Sequence, residues 1–371
     1  MSVSLGGVLG RWSALVALLA VSVVVGCGED QPSSDGSASN GKTKRIIILT
    51  NAVSPYWDAA DIGAQNAAKE LNVADSNYTV TIEKNTKKTE GQVTQLKQYL
   101  GAADVAAVAI SVTDPNNQQL MRAMKQLRDS GVVVVTIDSD VDRSKFSNTR
   151  FAYIGTDNVV GGKELGQTVK GLLPNGGKYA TFVGIKSQGN AIERNDGFDE
   201  GVGEKFTRVE NLGDDVDDNK ARKNVRDAYD RNNDIVAYVG IWSYNTPAIV
   251  DIVSELKIQD KVKVVGFDAD PPSIVAMGEG KVDAMVVQNP YEMGYQSVRL
   301  MKALLTDDTD TVNEMLPNHS ESGGDIYDTG LRVVVPDENS PLKESDFRKT
   351  TEFMTLKEFQ SWLDKYALTG S

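Results

Sequence analysis

From Lys44 onward, uninterrupted apolar runs alternate with stretches whose apolar residues recur every three or four positions. RIIILT (45–50) is a continuous apolar run, as expected for a strand buried on both faces. Pro55 then opens a helical pattern that carries Ala59, Ile62, Ala67 and Leu71. VTIEK (80–84) precedes a helix through Val93, Leu96 and Leu100, and VAAVAIS (105–111) one through Leu120, Met124 and Leu127. VVVVTID (132–138) and FAYIG (151–155) follow. Past Asp157 the alternation restarts with a helix to Leu173. The strands KYATFVG, TRVENL, IVAYVGI, VKVVGFD and DAMVVQ follow, separated by helices. Strands alternating with such helices predict βαβ units, and two successive sets predict two doubly wound α/β lobes with parallel sheets. Ligands of such sheets lie beyond the carboxyl ends of the strands.

Those ends carry a consistent chemistry. Tyr56 and Trp57 follow the first strand, and Asp138-Ser139-Asp140 the fourth. The helix after KYATFVG holds Glu193-Arg194-Asn195-Asp196-Gly197-Phe198. Trp242-Ser243-Tyr244-Asn245, Asp268 and Gln288-Asn289-Pro290 close three further strands. Aromatic surface with a few convergent polar groups makes a small-molecule pocket. It suits a sugar, whose C–H face stacks on an aromatic ring while its hydroxyls donate to carboxylate and accept from guanidinium. Each residue also has a structural role open to it: Trp57 and Trp242 in the core, Asp138 as a helix cap, Arg194 as a surface charge.

The N-terminal segment adds a location. Arg11 precedes a run of Ala, Val and Leu from Ala14 to Val25, which ends at Cys27, the sole cysteine of 371 residues. That run is shorter than the roughly 20 residues of a membrane-spanning helix and has the layout of a secretory signal peptide. VVGC resembles the lipobox of bacterial lipoproteins, in which the signal is cut before a cysteine that is then lipidated. Residues 28–44 are rich in Ser, Gly, Asp and Asn and read as a flexible tether reaching roughly 20–25 Å. With that thiol consumed by lipid, no disulfide is left to the fold. The length exceeds what one core accommodates, so two lobes are expected. A net charge of −13 without a basic stripe excludes nucleic acid as a partner.

From about Lys44 to Val335 the chain resembles the ribose-type periplasmic sugar-binding proteins, relatives of the lactose-repressor core domain. The resemblance rests on IIILTNAVSPYWDAADIGAQNAAKEL, VVVTIDSDV, AYIGTDNVVGGKELG, ERNDGF, VVGFDADP and VVQNP in that order. It implies a type I periplasmic binding protein, with two lobes joined by a three-strand hinge and the ligand between them. It places stacking aromatics at Tyr56, Trp57 and Trp242, and polar contacts at Ser54, Asp138, Arg194, Asp268 and Gln288; the strand-end position adds Asn245 as a candidate contact. The hinge falls near Thr156, Asn289 and Thr329. The implied organisation is a signal peptide (1–26), lipidated Cys27 and tether (27–44), lobe 1 (45–156 plus 289–329) and lobe 2 (157–288 plus 330–336). A C-terminal helical extension (337–371) carries Leu356, Phe359, Leu363 and Tyr366. Ser139 stands where pentose-binding members often carry Arg, and Trp242 where they often carry Asn. These departures argue against ribose itself, not against a sugar.

An enzyme is not indicated. His319 has no partner of identifiable spacing, and zinc sites draw on several His or Cys ligands. There is no Walker A loop and no G-x-G-x-x-G. Asp215, Asp217 and Asn219 fit the first ligand positions of a calcium loop, but Lys220 and Arg226 stand where Gly and Glu are required. The expectation is a monomeric, membrane-anchored lipoprotein, periplasmic or at the cell surface, without cofactor or metal. It captures a monosaccharide or small polyol and delivers it to an ABC transporter permease. A sensing co-receptor and a nucleoside-binding lipoprotein are the alternatives.

Overall fold

The computed structural model describes residues 43–53, 56–85 and 88–371. The expected signal peptide, Cys27, the tether up to residue 42 and Ser54 lie outside the described residues, and Lys44, read as the tether's end, already opens the first strand. The chain runs β1 (Lys44–Leu49), α1 (Tyr56–Glu70), β2 (Tyr78–Glu83), α2 (Lys88–Leu100), β3 (Val105–Ile110), α3 (Gln118–Asp129), β4 (Val133–Ile137), the single turn α4 (Arg143–Phe146) and β5 (Tyr153–Gly155). It continues through α5 (Asn158–Leu172), β6 (Gly177–Val183), α6 (Gly189–Val202), β7 (Phe206–Gly213), α7 (Asp218–Arg231), β8 (Ile235–Gly240), α8 (Asn245–Leu256), β9 (Lys263–Phe267), α9 (Pro271–Gly278) and β10 (Ala284–Val287). The last elements are α10 (Pro290–Leu305), α11 (Thr309–Met315), β11 (Ile326–Asp328), β12 (Leu331–Val335), β13 (Thr351–Thr355) and α12 (Leu356–Lys365).

Two sheets result, ordered β11-β5-β4-β3-β1-β2 and β13-β12-β10-β9-β8-β6-β7. Each is covered on both faces, which is why its strands read as unbroken apolar runs. Along β1, Ile46 and Ile48 enter one core and Ile47 and Leu49 the opposite one, all fully buried. Each such side chain contributes roughly 1.5–3 kcal/mol. The orders correspond: β4 and β9 hold equivalent places, as do β1 and β6. Three connections join the sheets, through Thr156, Asn289 and Thr329. Two end in helix caps, with Asp157 accepting from Val160 N–H and Asn289 from Glu292 N–H. The first and third are paired, Thr329 N–H donating to Gly155 O at 3.0 Å.

The expectation of parallel sheets holds for the first sheet and for β6–β10. It fails at β12, which is antiparallel to β10, with β13 parallel to β12. The cause is the third connection. β11 runs toward the other sheet, so β12 enters from the side on which β6–β10 end. The segment 337–371, expected as a helical extension, also supplies edge strand β13. It buries Leu356, Phe359 and Leu363 in the second-lobe core.

Helix pairs flank the connections and pack at backbone distance. A Cβ at Gly294 of α10 would meet Ala60 O of α1 at 1.9 Å. One at Gly162 of α5 would lie 2.2 Å from Arg194 O of α6. Overpacking of this kind costs typically 1–3 kcal/mol. Gly162→Ala is therefore expected to lower unfolding free energy by about that amount in urea titrations. Gly101→Ala, where the nearest atom is 3.6 Å away, should change it by under about 1 kcal/mol.

Candidate functional site

Asp138 and Asp268 immediately follow β4 and β9, the corresponding strands of the two sheets. Both have left-handed backbones, φ 63° and 67°. Aspartate tolerates this region better than most residues, and such strain concentrates at functional positions. Each amide is tied to the next strand, Asp138 N–H to Ile154 O at 3.0 Å and Asp268 N–H to Val286 O at 2.8 Å. The two lobes thus present one carboxylate each by the same local device.

Three donors serve Asp138. Tyr56 Oη reaches Oδ1 at 3.1 Å, while Ser111 Oγ (2.9 Å) and Asn51 Nδ2 (3.4 Å) reach Oδ2. Asp268 receives Gln288 Nε2 on both oxygens, at 3.0 and 3.2 Å. Burial raises the pKa of both aspartates, and the positive charge of Arg194 counters it in each case. Asp268 is pushed up to about 6. Burial and the two carboxylates likewise hold the Tyr56 phenol in its protonated form.

Arg194, on α6, is 1% exposed. Nε donates to Asn158 Oδ1 at 2.9 Å and Nη1 to Ile241 O at 3.1 Å, and the guanidinium lies 3.9 Å over the Phe267 ring. Nη2 is buried with no partner among the described residues. Gln288 Oε1 and Trp242 Nε1 are in the same condition. Burying a polar group unpaired costs roughly 1–3 kcal/mol, and each of these three atoms is left with a hydrogen bond to make. The cluster of Asp138, Arg194 and Asp268 offers one unused donor, Arg194 Nη2, one unused acceptor, Gln288 Oε1, and two partly used carboxylates. The lobes touch beside it, where Gln188 Nε2 reaches Thr113 O at 3.4 Å. A groove of about 420 Å³ also runs between them, lined by Pro115 and Arg143 from one side and Asn158 and Glu193 from the other.

The remaining expected residues divide. Trp57 is 2% exposed in the first-lobe core, and its indole N–H donates to Asn51 Oδ1 at 3.2 Å. Its reach to Asp138 runs through that asparagine. Trp242 is partly buried and packs over Gly184 and against Tyr244. Asn245 spends both ends of its side chain locally: Oδ1 accepts from Trp242 N–H at 3.2 Å and Nδ2 donates to Asp214 Oδ2 at 2.8 Å. It braces a loop in place of reaching the Asp138–Arg194–Asp268 cluster. Asn51, Ser111, Asn158 and Phe267 also surround the charged groups; of these Ser111, which closes VAAVAIS, stands at a strand end that the sequence pattern marks.

Asp217 caps α7 through Lys220 N–H, and Asp214 is held by Tyr244 and Asn245. No group of three potential metal ligands occurs among the described residues. His319 stacks on Phe151 and contacts its carbonyl. No helix among the described residues is long and apolar enough to cross a membrane.

Residues 46–309 match the family of the periplasmic binding protein domain. The ribose import binding protein RbsB of Escherichia coli (strain K12) is 23% identical over 265 residues, covering 70% of this chain and 83% of the relative. A solute-binding protein of an ABC transporter from Burkholderia graminis, in complex with D-arabinose, superposes with a TM-score of 0.68 at 22% identity. That match covers 82% of this chain and 99% of the other. The XylFII–LytSN complex gives 0.64 at 26% identity over 72% and 95%. With a family match over most of its length, two sheets in corresponding order and a polar cluster between them, the chain belongs to the periplasmic binding protein family.

Proposed function

We propose that this protein is an exported solute-binding lipoprotein that closes two lobes on a neutral monosaccharide or similar small polyol. It then presents the ligand to the permease of an ABC transporter. The observation that carries the reading is the matched pair Asp138 and Asp268, with Arg194 acting on both and keeping Nη2 free. Vicinal hydroxyls donate to carboxylates and accept from guanidinium, so a sugar uses both halves of this set. Gln288 Oε1 takes a further hydroxyl proton and Trp242 Nε1 donates one. Tyr56 and Trp242 supply aromatic surface for the ring. Trp57 holds Asn51 in place, and Thr156, Asn289 and Thr329 are the hinge positions. The protein performs no chemistry on its ligand and works as a monomer. The relatives' own names, ribose import and a D-arabinose complex, agree in ligand class. Ser139 and Trp242 set the hydroxyl pattern apart from that of ribose.

A second reading, a co-receptor that reports the ligand without transport, is favoured by the likeness to XylFII–LytSN, a complex of two proteins. Gene deletion separates the two. Lost uptake supports transport, whereas intact uptake with a lost transcriptional response to the same sugar supports sensing.

A thermal-shift screen over monosaccharides, polyols and nucleosides tests the ligand class, since a ligand of the folded state raises the melting temperature. A nucleoside as the only hit overturns the sugar reading. Arg194→Ala should weaken the best hit at least about tenfold in calorimetric titration, because 1.4 kcal/mol is one decade. Unchanged affinity removes Arg194 from the site.

Asp268 predicts a pH dependence. Its folded pKa of about 6 lies above the ordinary 3.8, so ionisation opposes folding. The associated stability is present below about pH 4 and is lost as pH rises through about 6. Asp268→Asn should therefore gain on the wild type by about 2–3 kcal/mol between pH 4 and pH 7, read from urea unfolding at both. A gap that does not change with pH contradicts the assignment.

Anchoring rests on Cys27. Cys27→Ser should leave unprocessed, unacylated precursor. Identical mass and acyl labelling of the two proteins excludes the lipid anchor.

A further inference from the structure

The stretch Tyr366–Ser371 lies past residue 309, where the family match ends, and it turns back toward the polar cluster. Ala269, the residue after Asp268, exchanges two backbone hydrogen bonds with Ser371: Ala269 N–H to Ser371 O at 2.7 Å and Ser371 N–H to Ala269 O at 3.1 Å. Ser371 Oγ donates to the main-chain carbonyl of Gln288 at 3.1 Å, and Ser371 is 3% exposed. One residue therefore grips the backbone on both sides of the Asp268–Gln288 pair. Gly370 makes room for this, since a Cβ there would lie 2.6 Å from Ala269 O and 3.0 Å from Pro271 Cδ.

The same stretch reaches the other lobe. Leu368 enters a core cluster that also contains Ala59 of α1, with Ile62 packed against it. Tyr366 packs against Tyr291 with ring centroids 4.3 Å apart and planes tilted by 40°, and Tyr291 stands at the start of α10, one residue past the Asn289-Pro290 connection. Ala367 turns the chain with a left-handed φ of 53°.

We propose that Gly370 and Ser371 are positioning residues of the ligand site. They act as a clamp that holds the Asp268–Gln288 acceptor pair from behind, and Tyr366 anchors that clamp to the helix entering from the second connection. This rests on the reading of Asp268 and Gln288 as ligand contacts. A backbone gripped at residues 269 and 288 fixes the carboxylate and the amide against each other. Loosening it lets water reach the carboxylate and spoils the geometry in which Gln288 Oε1 stays free.

The test compares full-length wild type, Ser371→Ala and Gly370→Val with two readouts. The first needs no ligand: the titration of Asp268 followed by carbon NMR of carboxyl-labelled protein. Wild type should titrate near 6. Both variants should move toward 4, the value of a solvated aspartate. The second is calorimetry with the best monosaccharide of the screen. Affinity should fall about threefold for Ser371→Ala and at least about tenfold for Gly370→Val. In an Asp268→Asn background the further loss should be under about twofold, because residues acting through one another are not additive. Should Gly370→Val fail to fold, the smaller Gly370→Ala, whose Cβ would still meet Ala269 O at 2.6 Å, decides together with Ser371→Ala. An unmoved titration in a folded variant overturns the clamp, as does a loss of affinity that persists undiminished in the Asp268→Asn background. Failure of wild type to bind any sugar counts against the functional reading only, since the titration still judges the clamp.

Discussion

Arg194 carries a full charge at 1% exposure, and the arrangement around it is what makes that tolerable. Stranding such a charge costs several kcal/mol unless partners surround it. Asn158 and the Ile241 carbonyl take two of its donors, Phe267 covers a face, and two buried carboxylates supply opposite charge. Asp138 and Asp268 depend on it in turn, since each is displaced upward by burial and restrained by this guanidinium. The three groups come from both lobes. Arg194 and Asp268 belong to the same lobe, so only the attraction between Arg194 and Asp138 spans the two lobes.

The frame that delivers these groups is a matter of backbone approach. Glycines at the α5–α6 and α1–α10 crossings bring helix axes closer than side chains allow. That closeness sets where α6, and Arg194 with it, stands relative to the end of β9. The two carboxylates need no such device. Each follows its strand in a left-handed turn, and the adjoining strand fixes its amide.

Much of this was legible in the chain because strands buried on both faces leave continuous apolar runs, and the strand-end rule then selected Asp138, Asp268 and Gln288. The direction of β12 was not legible, because it depends on which side of the sheet a connection enters from. Tyr56 and Trp57 are adjacent in the sequence, yet successive helical residues point about 100° apart and cannot share a face. One reaches Asp138 and the other enters the core. Asn245 has the composition of a ligand contact and the position of a loop brace, and only its partner Asp214 distinguishes the two. Asn51, Ser111 and Asn158 orient the charged groups, a role that leaves no mark of its own in a single sequence.

The order of strands along the chain bears on when this fold can form. β11 closes the first sheet at residues 326–328, and β12 and β13 complete the second only by residue 355. Until those residues are available, β5 and β10 each lack a neighbour, and both edges are open to pairing with another chain. Neither lobe can be finished by local folding of a leading fragment. Sequence-distant pairings of this kind are slow to form. A chain destined to cross a membrane before folding would gain from that delay, because its last strands arrive together with permission to fold.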